Sequence, residues 1–376
     1  MSMQKKETTQ TGGTGAERLM SLDALRGFDM FWIAGGGTLF KAFHGLGSDG
    51  VSGFIANQLS HRDWDGFVFE DLIFPLFVFM MGVAAVYSLG KIAGTEGSKA
   101  AHVRLLRRTV VLFLLGVFYS GGLSHHYSET RFLGVLQRIA LCYGFAGLVV
   151  LHLKPRGMVA VFLALMLGYW ALLTFVPAPG QATASFEVGK NWPNYIDAHF
   201  LPGKPYNDTW DPEGLLSTLP AFGSGMLGIF AGLLLRDRRF TQQKKAAFLF
   251  AGGLILLAVG YTWGHQFPIV KKIWTSTFVL VAGGYSCLLL AAFYWVIDIQ
   301  GWRAWTPPFI WVGSNALGVY FAAQIIPWQK LAERLVGGEI QARMGAYGDL
   351  LIAVTAVTLL VLFARYLYKK QIFLRA

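Results

Sequence analysis

Apolar stretches close to the length that crosses a bilayer recur along the chain, at 22 to 43, 66 to 90, 109 to 123, 134 to 153, 157 to 176, 215 to 235, 246 to 263, 273 to 297, 309 to 326 and 347 to 368. A helix needs about 20 such residues to span the hydrocarbon core, and in lipid only helices or closed barrels satisfy every backbone polar group. The pattern predicts an all-α, polytopic integral membrane bundle of about ten transmembrane helices, the third being short. Composition agrees: 54% of the residues are hydrophobic and 14% charged, too little polar surface to cover a soluble core of 376 residues.

The net charge of +11 raises the question of nucleic acid. The basic residues, however, are spread over short loops rather than gathered on one soluble face. With the N-terminal tail inside, about 20 Lys and Arg fall in inner loops and about nine in outer ones, which fixes the orientation by the positive-inside rule. An even number of spans then returns the C-terminus to the cytoplasm. Cys142 and Cys287 lie in apolar stretches and support neither a disulfide framework nor a metal site. Residues 1–16 read as a disordered cytoplasmic tail, with no cleavable signal peptide behind them. Residues 17–376 then form one transmembrane domain with a long outer loop at 177–214.

Four polar clusters sit in or beside the spans, where an uncompensated charge costs several kcal/mol. Asp23 and Arg26, spaced i, i+3 at the start of span one, can form a structural ion pair or take part in a site. His61-Arg62-Asp63-Trp64-Asp65-Gly66 runs into Glu70 and Asp71 of span two, so an imidazole at the outer mouth stands above two acids and can accept a proton from an attacking group. Pro75 frees a carbonyl within the same span. Gln137 and Arg138 lie just inside span four, where a guanidinium must bind an anion or pair with a carboxylate such as Asp71. In the long loop, Asp211-Pro212-Glu213 reads equally well as a helix N-cap with Pro at the first helical position, or, with Trp210 and Tyr206, as a sugar or ammonium site.

The basic loops 91–108 and 236–245 are topology determinants that can also hold a cofactor's phosphates. His125 and His126 lack a third ligand at useful spacing, so no metal is expected. Gly35-Gly36-Gly37 marks an unwound or closely packed stretch.

Taken in order, SLDALRGFDMFW, the H-x-x-W-D-G-F segment leading into EDLIFPLFVFMMG, GVLQRIA, WDPEGLLSTLPA and the later IWTSTFVL, FYWVIDIQGW and FIWVGSNALGVYF resemble the heparan-α-glucosaminide N-acetyltransferase family of transmembrane acyltransferases. The resemblance runs over nearly the whole chain after the tail. It implies transfer of acetyl from cytoplasmic acetyl-CoA, the co-substrate, to the amine of a glucosamine unit on the far side, without a metal. Its histidine before the W-N/D-G motif matches His61 and its intramembrane Asp before L-x-F-P matches Asp71, the two catalytic candidates. Arg26, Gln137, Arg138 and Asn315 are candidates to line the CoA passage, and Asp65, Trp210, Asp211 and Glu213 to meet the acceptor. The family's Asn before the glycine-rich stretch is replaced here by Ile33-Ala34. Without the lysosomal members' lumenal domain and extra first span, the implied setting is a bacterial inner membrane, with the long loop periplasmic and a homodimer as the assembly. His61 can act as general base or as an acetyl carrier. Two rivals stay open: an O-acyltransferase acting on a surface glycan, and a sugar or anion transporter.

Overall fold

The computed structural model describes residues 19–47, 49–124 and 126–374, so the tail at 1–16 and His125 lie outside the described residues. Among them the chain is all helical, with no strand and only three isolated bridges. The helices are α1 Met20–Gly45, α2 Gly50–Gln58, α3 Phe69–Thr95, α4 Ser98–Tyr119, α5 Val135–His152, α6 Pro155–Phe175, α7 Trp192–Phe200, α8 Thr218–Arg236 and α9 Gln242–Gly264. They continue with α10 Ser276–Phe293, which runs on as a π turn to Ile299, then α11 Pro307–Ser314, α12 Ala316–Ile325, α13 Trp328–Val336, α14 Glu339–Arg343 and α15 Gly348–Lys369.

Seven of these are long and apolar enough to cross a membrane: α3, α5, α6, α8, α9, α10 with its extension, and α15. The other three expected spans are helical but carry interruptions. α1 holds Asp23, Arg26 and Asp29. α4 is 22 residues long, not short, because it begins at Ser98 and carries Lys99, Arg104, Arg107 and Arg108 on its first turns, where a loop was expected. The span at 309–326 is broken at Asn315 (φ −132°, ψ 41°) into α11 and α12.

Contacts sort the helix ends into two sets. At one end the Ser21 amide meets Asp298 and His102 meets His152, bringing together the start of α1, the π turn, the start of α4 and the end of α5. At the other end the Ile269 amide meets Asp65 and Trp64 meets the Phe186 carbonyl. Consecutive long helices therefore run back and forth between a basic end and an end built of long loops.

α3 is the central helix and packs against α1, α4, α5, α8 and α10. Its crossing with α8 is a backbone contact: a Cβ on Gly82 would overlap the Gly225 carbonyl, and one on Gly228 would overlap that of Phe79. Between apolar helices in lipid there is no water to expel, so close approach through small residues is what holds such a pair. Pro75 lies buried inside α3 without ending it. The glycine run of α1 resolves toward close packing: it stays helical, with Gly35 against Val357 and Gly36 against Glu70.

Candidate active site

His61 lies in the short segment between α2 and α3, and Asp71 occupies the third position of α3. The Asp71 carboxylate bends back over its own helix start, where Oδ2 accepts from the Val68 amide at 3.4 Å and the Arg62 amide at 3.5 Å. The helix N-terminus favours a negative group there. Its Oδ1 meets His61 Nδ1 at 3.1 Å and Lys271 Nζ at 3.3 Å, and Lys271 Nζ is 3.0 Å from the same Nδ1. The Asp71 side chain is 0% exposed and that of His61 55% exposed. With Nδ1–H assigned as donor to Asp71, Lys271 donates to Asp71 and not to the ring, and Nε2 keeps its lone pair on the open side of a ring that a buried group orients. Burial lowers the pKa of the Lys271 ammonium, while the Asp71 and Glu70 carboxylates pull it back up. Lys271 is thus a largely buried cation beside the imidazole, paired with Asp71 and close to Glu70.

Lys271 reaches this position because loop 265–275 is stitched to the segment before α3. Asp65 Oδ1 accepts from the Ile269 amide at 2.9 Å, and the Gly66 amide donates to the Ile269 carbonyl at 3.0 Å. Asp65, expected at the acceptor site, is thereby engaged in holding this loop. Lys271 was not among the expected site residues. Its signal was present: Lys271-Lys272 stands between two spans on the side the positive-inside rule leaves poor in cations.

The second cluster of that end is densely bonded. Arg131 donates to Asp211 through Nε at 2.7 Å and Nη2 at 2.6 Å, and to Glu213 Oε2 at 2.5 Å. Its guanidinium lies 4.9 Å from the Tyr206 ring centroid, and its pKa is raised by these carboxylates. Asp211 also accepts from the Tyr206 and Glu213 amides, each at 2.9 Å. The bond to the residue two ahead makes Asp211 the head of an Asx turn. The helix-cap reading fails, since α8 begins only at Thr218. Asp197 of α7 supports the turn from behind, accepting from the amides of Leu215 at 2.9 Å and Asp211 at 3.2 Å. Burial pushes the Asp197 carboxyl up to about 6. Trp210 is buried and packs edge-on against Trp64, 5.9 Å between centroids.

The four residues expected along the CoA passage fall into two groups. Gln137 and Arg138 lie in the first turn of α5, at the loop end, both nearly fully buried. Arg138 donates to Ser217 Oγ at 2.5 Å and the Gly214 carbonyl at 3.3 Å and stacks on Trp274 at 4.9 Å; its expected partner Asp71 is taken by His61 and Lys271. Arg138 Nε and Nη1 and Gln137 Nε2 have no hydrogen-bond partner. Arg26 and Asn315 lie elsewhere, Arg26 where α1 crosses α11 and Asn315 at the break between α11 and α12. Arg26 pairs with Asp23 at 2.5 Å and donates to the Gly313 carbonyl at 2.9 Å. Asn315 binds the chain after α15, donating to the Ile372 carbonyl at 3.2 Å and accepting from the Leu374 amide at 3.0 Å.

Comparison with known proteins found the heparan-alpha-glucosaminide N-acetyltransferase of Mus musculus, 26% identical over 432 aligned residues that cover 97% of this chain and 61% of that protein. It also found the protein of the same name from Homo sapiens, 28% identical over 377 residues, covering 83% of this chain and 55% of the relative. The chain thus spans between 55% and 61% of the length of these curated relatives. No protein-family model matches it. Across most of its length the chain is similar to the heparan-alpha-glucosaminide N-acetyltransferases of these two organisms.

Proposed function

We propose that this chain is a transmembrane N-acetyltransferase that moves acetyl from acetyl-CoA, supplied at the basic end, to the amine of glucosamine or a related amino sugar at the loop end. The observation that carries the proposal is the His61 imidazole, exposed at the loop end and anchored through Nδ1 by buried Asp71 beside Lys271. The names of the relatives support the reaction class. An ammonium has no lone pair, so the acceptor must lose a proton before it attacks the thioester; His61 Nε2 is the base in place for that. It is equally the nucleophile for a two-step route through an acetyl-imidazole. Asp71 orients the ring and stabilises the imidazolium, and Lys271 supplies positive charge where the thioester oxygen becomes negative. Arg138 and Gln137, buried with spare donors, suit the carbonyls or phosphates of an entering CoA.

The setting proposed with this reading is a bacterial cytoplasmic membrane, crossed about ten times with both termini on the basic, cytoplasmic face. The assembly proposed is a homodimer, which the resemblance alone implies. The test is to incubate the purified protein with labelled acetyl-CoA and glucosamine and to identify N-acetylglucosamine by mass spectrometry. Absence of product over a panel of amino sugars would overturn the proposal. Acetylation only of hydroxyl acceptors would replace it with O-acyl transfer, and sugar counter-flow in proteoliposomes without acetyl-CoA would replace it with transport.

A further inference from the structure

Two carboxyls beside the triad have no part in the scheme above. Asp29 on α1 is 0% exposed, and neither of its oxygens has a hydrogen-bond partner. Glu70, the neighbour of Asp71, keeps Oε2 buried and unpartnered. The two belong to one patch. Gly36 lies two turns beyond Asp29 on the same flank of α1, and Glu70 Oε2 rests 3.5 Å from where a Cβ of Gly36 would stand. Asp29 lies within the electrostatic reach of Glu70, and Glu70 within that of His61, Lys271 and Asp71. Trp32, one turn from Asp29, packs edge-on against Phe69 at the start of α3, 5.1 Å between centroids, and its Nε1 is buried without an acceptor. Seven residues of helix place Asp29 about 10 Å farther from the loop end than Gly36. Ionisable side chains in a bilayer that follow one another inward from a reaction centre are the usual make-up of a proton path.

We infer that Glu70 and Asp29 form a proton relay leading from His61 into the bundle, which removes the proton that an ammonium acceptor must shed. This rests on the acyl-transfer reading, in which each ammonium acceptor brings one proton that has to leave the reaction centre. The acceptor arrives as R–NH3+ and gives one proton to His61 Nε2; the ring releases its Nδ1 proton to the Asp71 carboxylate, 3.1 Å away, which passes it to the neighbouring Glu70 and on to Asp29. The free amine attacks the thioester, the N–C bond forms and the C–S bond breaks. The second N–H proton returns through His61 to the departing thiolate, giving CoA–SH. One proton per turnover is therefore in surplus, and it is the surplus proton that the relay carries.

An acceptor that is uncharged at neutral pH brings no surplus proton, so hydroxylamine and glucosamine are the probes. Acetyl transfer to each is measured with the purified full-length protein, the Glu70→Gln and Asp29→Asn variants, and the conservative Glu70→Asp variant, all checked for folding by size exclusion. The relay requires Glu70→Gln to slow transfer to glucosamine about tenfold or more beyond any loss with hydroxylamine, which reads the effect of removing a carboxylate from beside Lys271. Asp29→Asn shows the same split, and Glu70→Asp regains part of the loss. An equal loss with both acceptors would mean that these acids only position His61, and no loss with either would remove them from the reaction; both outcomes overturn the relay. Should Glu70→Gln fail to fold, the acceptor split of Asp29→Asn decides alone. If wild type acetylates neither probe, it is the acyl-transfer reading that fails.

Discussion

Two clusters of cations and carboxylates face the same end of the bundle, and they differ in what they leave unused. In the Arg131–Asp211–Glu213 cluster, Asp211 accepts from two guanidinium nitrogens and two backbone amides, and the side chain is 0% exposed. The Asp211 carboxylate is fully engaged within the protein. In the His61–Asp71–Lys271 cluster the same kind of buried carboxylate fixes only one edge of an imidazole, and the other edge faces outward. Saturated bonding makes a scaffold, whereas a fixed group with one open valence makes a site.

The sharpest way to break this contrast is His61→Ala. If the histidine is the base or carrier, kcat falls by about 10²-fold or more with the thermal midpoint near wild type; full activity in purified protein would strip the triad of its role. Arg131→Ala should act in the opposite sense, on stability. It leaves Asp211 buried without its cation, at a cost of roughly 3 kcal/mol, read as a lower melting temperature and protease cleavage within 197–217; an intact, fully stable loop would show that the cluster is no scaffold. Lys271→Met sharpens the comparison from within the site: about a tenfold drop in kcat with KM for the acceptor little changed marks a cation that stabilises charge late in the reaction. A change confined to KM would assign Lys271 to acceptor binding.

The smallest expected effect is in the pH dependence of loop stability. Asp197 has its carboxyl raised from 3.8 to about 6, so the folded state holds this proton more tightly than the unfolded chain. The contribution is therefore fullest below pH 3.8, declines as pH rises toward about 6, and is flat beyond. Thermal midpoints of wild type should show this decline, and those of Asp197→Asn should lack it; parallel curves would refute the assignment.

The helical class was legible because apolar segments must hide their backbone in lipid, and seven helices long and apolar enough to cross a membrane fall where spans were expected. Boundaries failed where charge rides on a helix, as at Lys99 to Arg108, because hydropathy reads charge as loop. The pairing of His61 with Asp71 was also within reach, since both belong to one continuous stretch of sequence. The partners from distant segments were not: Lys271 for Asp71, Arg131 for Asp211, Ser217 for Arg138. Each depends on how loops between different helices fold over the same end, which no periodicity encodes. Asp211 misled for a local reason: the Asp-Pro-Glu sequence that starts a helix also starts an Asx turn, and here Arg131 selects the turn.

α3 carries Asp71 at one end and, three turns on, the Gly82 contact with α8. Any side chain at Gly82 or Gly228 would drive apart the two helices at the centre of the bundle, and the reaction centre mounted on α3 would be lost with them. A saturation mutagenesis screen scored on growth would therefore rank these glycines beside His61. Intolerance to substitution alone would not tell an enzymologist where the chemistry is; only a screen that also counts the amount of folded protein in the membrane would separate the hinge pin from the blade.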